Sequence, residues 1–210
     1  MSQVAVEQHH HEMSAEEKAR SIDNQKFAMW LFIASETVIF STMIVAYIVF
    51  RIQEPEIVKG VHEALGLSGI LLVTFNSFLL LTSSWAMVMG LREIQRGNRA
   101  GMIRWFWLVA GLGVAFLAIQ YYEYVQMASK GITLYHDPSS EFAGFGMRFY
   151  APTAFHGAHV FAGVLWCLLV MRRASKGVYD KNSVGVEIFG LYWHYVDIVW
   201  VLLFTLIYLI

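Results

Sequence analysis

Apolar positions along this chain fall into five runs, at residues 27–50, 66–90, 105–127, 151–171 and 188–210. Polar and charged residues collect between the runs instead of alternating within them. Each run has the roughly 20 residues that carry a helix across about 30 Å of hydrocarbon. None holds Lys or Arg. A backbone in lipid must satisfy its own hydrogen bonds, and the period-two alternation of a barrel strand is missing, so the runs predict helices. The expected architecture is an all-α integral membrane protein. It has five transmembrane helices over residues 27–210, behind a polar cytoplasmic tail at 1–26.

Basic residues between the runs set the direction. Eleven fall in the N-terminal segment (Lys18, Arg20, Lys26), the second loop (Arg92, Arg96, Arg99, Arg104) and the fourth loop (Arg172, Arg173, Lys176, Lys181). The first and third loops share four: Arg51, Lys59, Lys130 and Arg148. The positive-inside rule then puts the N-terminus in the cytoplasm and Ile210 outside. The tail has no charged region followed by a short apolar stretch, so no cleaved signal peptide is expected. His9, His10 and His11 read as part of a flexible tail, with weak metal binding as the alternative. The longest connector, 128–150, carries the turn formers Gly131, Asp137, Pro138, Gly144 and Gly146.

Composition agrees. Of the 210 residues 57% are hydrophobic and 15% charged, where a soluble domain is nearer half apolar and a quarter charged. The net charge of -1 offers nothing to hold nucleic acid. Cys167, the single cysteine, cannot form an internal disulfide and reads as a small packing residue.

Three acids and three histidines fall inside the spans: Glu36, Glu123, Asp197, His156, His159 and His194. Intramembrane ionisable groups are costly, so each is a functional candidate. Glu36 lies ten residues past Lys26, about 15 Å along a helix and near the midplane. No cation in another span can meet it, so a protonated or water-served carboxyl is expected. Asn76 has similar depth and is its candidate hydrogen-bond partner. A helix-joining contact and a part in proton movement both fit Glu36. Glu123 ends the third span on the outside. His156 and His159, i and i+3 on the fourth, share a face that Glu123 can reach. A hydrogen-bonded polar layer and a two-histidine, one-carboxylate metal site both fit that trio. His194 and Asp197 are again i and i+3, matching an oriented imidazole. Trp193 and Trp200 share a face as packing residues. Ala154, Ala158 and Ala162 form a small-residue stripe suited to close helix contact.

Four motifs occur in order. They are Ser35-Glu-Thr-Val-Ile-Phe40, Glu123-Tyr124, Phe155-His-Gly-Ala-His-Val160 with Gly163, and Tyr192-Trp-His-Tyr-Val-Asp-Ile-Val-Trp200. Together, over about residues 27–209, the chain resembles subunit III of the haem-copper terminal oxidases. The short five-helix bacterial form is the closer likeness, without the two helices that wall the family's lipid cleft.

The resemblance implies a chain of the bacterial plasma (inner) membrane with no catalytic centre and no metal of its own. The complex reduces oxygen to water and pumps protons. Its haem and copper sit in partner subunits. Subunit I would be the main contact, with subunit II, a small subunit IV and bound phospholipid beside it. Cytochrome c is the expected donor, and a quinol the alternative. Carried over residue by residue, Glu36 becomes the carboxyl associated with proton supply and lipid. Asn76, Glu123, His156, His159, His194 and Asp197 become polar anchors. Arg173 becomes a lipid-headgroup contact, a role its forked guanidinium suits. Set apart from the resemblance, an intramembrane metalloenzyme on Glu123, His156 and His159, or a small carrier or channel, would remain.

Overall fold

In the computed structural model, residues 15–134, 142–180 and 182–210 are described. His9, His10, His11, Asp137, Pro138 and Lys181 lie outside them. Five helices follow in order: α1 (Ala15–Gln53), α2 (Pro55–Gln95), α3 (Arg99–Ser129), α4 (Phe145–Ser175) and α5 (Val184–Phe204). A π-helical turn, Thr205–Leu209, ends the chain. All five are long and apolar enough to cross a membrane, and no strand occurs among the described residues.

Helices α1 to α4 overrun their apolar runs at both ends and α5 starts before its run, because the polar flanks are themselves good helix formers. The segment expected as a tail is helical from Ala15. Glu16 and Glu17 occupy its first turn, where acids complement the helix dipole. Glu16 pairs with Arg20 one turn on, at 3.7 Å. The connector expected over 128–150 is likewise shorter, since α4 begins at Phe145. There Phe145 and Phe149 are buried and stacked at 5.8 Å, and their burial draws the helix outward. Pro55 starts α2, a position with no amide hydrogen bond to lose. Gly66, at φ 64°, breaks α2 where the second apolar run starts, so an outer arm precedes the span.

Helix α5 is the axis of the bundle, packed against α1, α2 and α4, while α3 fits beside α2 and α4. Two tryptophans tie α5 to α2. The Trp193 indole donates to Ser83 Oγ at 3.0 Å, and the Trp200 indole to Ser77 Oγ at 2.9 Å. The ring of Trp193 lies so close over Gly163 of α4 that an added Cβ would sit 2.6 Å from it. Cys167 is fully buried against the Phe106 carbonyl. At the inner end, ion pairs join Lys26 to Glu187 at 3.0 Å and Arg99 to Asp180. The stripe of Ala154, Ala158 and Ala162 faces away from the bundle. Its first two members line a groove of about 890 Å³ between α3 and α4.

Candidate functional site

The mid-depth carboxyl has a partner, and it is His159. Glu36 Oε2 lies 3.4 Å from His159 Nε2, and both side chains are largely enclosed, 13% and 12% exposed. The other ring nitrogen, Nδ1, lies 2.9 Å from the Phe155 carbonyl. A carbonyl only accepts, so Nδ1 carries a hydrogen. Nε2 is left to face Glu36. The two groups face each other across this contact, but Glu36 Oε2 makes no hydrogen bond among the described residues.

Aromatic rings close around this pair at the junction of α1, α4 and α5. Phe40 meets the imidazole edge-on at 5.4 Å and Tyr192 stacks at 6.4 Å. The Tyr192 hydroxyl donates to the His159 carbonyl at 2.9 Å. Thr37 and the Tyr195 hydroxyl, 3.5 Å apart, stand beside it. The sequence placed Glu36 among greasy neighbours without a cation; the cation-capable group comes from α4 instead.

Asn76 does not reach Glu36. Its amide donates to the Phe116 carbonyl of α3 at 3.3 Å, so the two sit in different helix interfaces. Residues on α2 and α1 at equal depth meet only if their helices touch there, and these two barely do.

The expected contact between Glu123 and the two histidines is also overturned. Glu123 accepts from the Tyr208 hydroxyl at 2.5 Å, on the terminal π-helical turn. His156 is wholly buried, stacked on Trp200 at 4.9 Å and edge-on to Phe116 at 5.7 Å. Neither of its ring nitrogens has a hydrogen-bond partner. An i, i+3 pair diverges by about 60° around a helix. Here that angle sends His156 into the α3–α5 seam and His159 toward α1. Glu123, His156 and His159 therefore do not converge, and no group of three metal-capable side chains gathers among the described residues.

Around Glu123 a second network forms. Gln120 donates to the Tyr124 hydroxyl at 3.2 Å and the Thr153 carbonyl at 3.0 Å, while Tyr124 donates to Thr153 Oγ1 at 2.9 Å. Tyr150 donates to the Ile132 carbonyl at 3.0 Å. Tyr208, Ser77 and Ser83 were missed in the sequence. A tyrosine near a span end reads as an interfacial residue, and only the serines carried a signal, as hydroxyls within an apolar run.

Asp197 and Ser84 are buried, and Asp197 Oδ1 and the Ser84 hydroxyl each lack a hydrogen-bond partner among the described residues. At the inner end Arg173 lines two clefts, of about 350 and 400 Å³, together with Trp166 and Tyr179. Burial pushes the Tyr179 phenol up, partly opposed by the Arg173 charge.

Comparison with known proteins matches the chain to one family. The family model described as cytochrome c oxidase subunit III covers residues 4–210. The chain is 38% identical to cytochrome c oxidase subunit 3 of Synechocystis sp. over 191 residues, 90% of this chain and 76% of that one. It is 31% identical to cytochrome c oxidase subunit 3 of Thermostichus vulcanus over 201 residues, 90% and 88% of the two. It is 29% identical to quinol oxidase subunit 3 of Bacillus spizizenii over 181 residues, 86% and 84%.

Proposed function

The chain belongs to the cytochrome c oxidase subunit III family, and from that premise we propose that it is the supporting subunit of an oxidase that takes electrons from cytochrome c. Membership makes it part of a multisubunit haem-copper oxidoreductase and a multi-pass protein of the bacterial plasma membrane. The complex reduces oxygen to water and moves protons, with haem and copper held by other subunits. This chain contributes proton supply, lipid binding and turnover stability to subunit I, its main neighbour, with subunit II and a small subunit IV nearby.

The observation that carries this reading is the match across all five helices, with Glu36, His159 and Tyr192 of three motifs meeting at one junction. A carboxyl and an imidazole facing each other at 3.4 Å in an enclosed junction suit proton supply without chemistry of their own. The Arg173 clefts, with an aromatic floor, suit a phospholipid headgroup. The outward alanine stripe and its groove suit a neighbouring helix. The relatives above 30% identity are named as cytochrome c oxidase subunits, which favours cytochrome c as donor. A quinol is the second reading, favoured by the 29% match to a quinol oxidase subunit.

Affinity purification through a tag on this chain, in mild detergent, tests the proposal. Haem absorbance and larger subunits should co-purify, and reduced cytochrome c should be oxidised faster than quinol. A haem-free, single-chain preparation from aerobically grown native membranes would overturn the supporting role; preference for quinol would transfer the donor to the second reading.

A further inference from the structure

Where α2 ends and α3 begins, on the side that the basic loops put in the cytoplasm, a cavity of about 460 Å³ opens. It is lined by Glu93, Gly101, Arg104, Trp105 and Leu108. One side of it is apolar: Leu108 is exposed, and Trp105 is braced edge-on by exposed Trp85 at 5.2 Å. Its mouth holds two opposite charges that do not neutralise each other, since among the described residues no ion pair joins Glu93 to Arg104 or gives Arg104 another carboxylate. Glu93 is fixed in place instead. Asn98 donates to its Oε2 at 2.5 Å while capping α3 through Gly101. Gly101 leaves room for this turn, because an added Cβ would meet Asn98 and Glu93 at 2.5 Å. A carboxylate oriented by a neighbour and a free guanidinium at one apolar mouth match a ligand with both charges on one short head.

We propose that this cavity binds a phospholipid with a phosphoethanolamine headgroup, its phosphate on Arg104, its ammonium on Glu93 and one acyl chain along Leu108 and Trp105. Arg104 presents a fork suited to phosphate oxygens. Glu93 accepts hydrogen bonds from a primary ammonium. A phosphocholine head has no N–H to give it, and a phosphoglycerol head brings no positive charge. The site is separate from the Arg173 clefts, which are built on α4, α1 and the loop before α5.

Native mass spectrometry of the full chain in detergent tests this. It is titrated with phosphatidylethanolamine, phosphatidylcholine and phosphatidylglycerol of identical acyl chains, in an Arg173→Ala background. The ethanolamine lipid should bind about tenfold tighter than the other two, the worth of one charge-assisted hydrogen bond. Arg104→Gln should weaken the ethanolamine and glycerol lipids together by about tenfold. Glu93→Gln, which keeps an acceptor for Asn98, should erase the preference for the ethanolamine lipid. Leu108→Trp fills the cavity, leaves both charges and sits on an exposed position, so it should remove the adduct even where a charge variant fails to fold. Glycerophosphoethanolamine should not compete, because the apolar wall supplies much of the binding. Tighter binding of phosphatidylglycerol, an unchanged lipid preference in Glu93→Gln, wild-type binding by Leu108→Trp, or competition by the soluble headgroup would each overturn the assignment.

Discussion

Glu36→Gln is the substitution that tests the junction most directly. The side chain keeps its length and shape, and the amide keeps one acceptor and gains two donors. If the native pair is Glu36 O–H facing the His159 lone pair, the amide N–H takes the place of that donor. If the native pair is carboxylate and imidazolium, His159 reverts to the neutral ring held by Phe155 and again accepts from the amide. In either state the amide can face Nε2 in place of the carboxyl. The original contact is 3.4 Å long, beyond the usual hydrogen-bond distance, so the change in stability should be about 1 kcal/mol or less. In a chain of this size that moves the unfolding midpoint by about 2–4 °C. His159→Leu is the harsher comparison. It leaves Glu36 enclosed with no partner and removes the imidazole packed on Phe40 and Tyr192, at a cost of about 1–3 kcal/mol. The assays are thermal unfolding of the purified oxidase, haem spectra, oxygen consumption and infrared absorption of protonated carboxyls. Glu36→Gln should assemble, keep native spectra and retain most oxygen reduction, with altered survival during turnover and reduced labelling by hydrophobic carbodiimide. Complete loss of oxygen reduction in a fully assembled complex, or a drop far beyond a few degrees, would refute the reasoning.

Three further outcomes follow from the packing. Gly163→Ala forces a methyl to within 2.6 Å of a Trp193 ring held by Ser83. It should destabilise by about 1–3 kcal/mol, while Gly111→Ala, which meets nothing within 4 Å, should gain about 0.5–1 kcal/mol; thermal melts of the two variants side by side decide. Tyr208→Phe strips the donor from buried Glu123 and should cost about 1–3 kcal/mol, most of it recovered when Glu123→Leu is added; a double-mutant cycle with no coupling would contradict the 2.5 Å contact. Cysteines placed at exposed Ala100 and Ser129 should label from opposite sides of the membrane, Ala100→Cys only from the cytoplasm, with little background from buried Cys167.

The residue order by itself determined the five spans. A run of about 20 apolar residues without Lys or Arg has few other fates. The basic loops likewise fixed a direction, and the motif order pointed to the family. Helix ends were less legible, because charged flanks such as 15–26 extend a helix without adding hydropathy.

Pairing across helices was decided by tertiary structure. The interval from His156 to His159 says that both lie on one side of α4, but an angle of about 60° is enough to split them between two seams. Which seam each enters depends on how α1, α3 and α5 surround α4, and that depends on packing: Trp193 over Gly163, and Trp200 bonded to Ser77. The same packing turned Glu123 toward Tyr208, 85 residues away, and Asn76 toward a backbone carbonyl. Depth along each helix was readable from residue counts. Rotation about each helix axis was not, because a span that is apolar all round carries no moment to reveal it, and rotation is what brought Glu36 and His159 together.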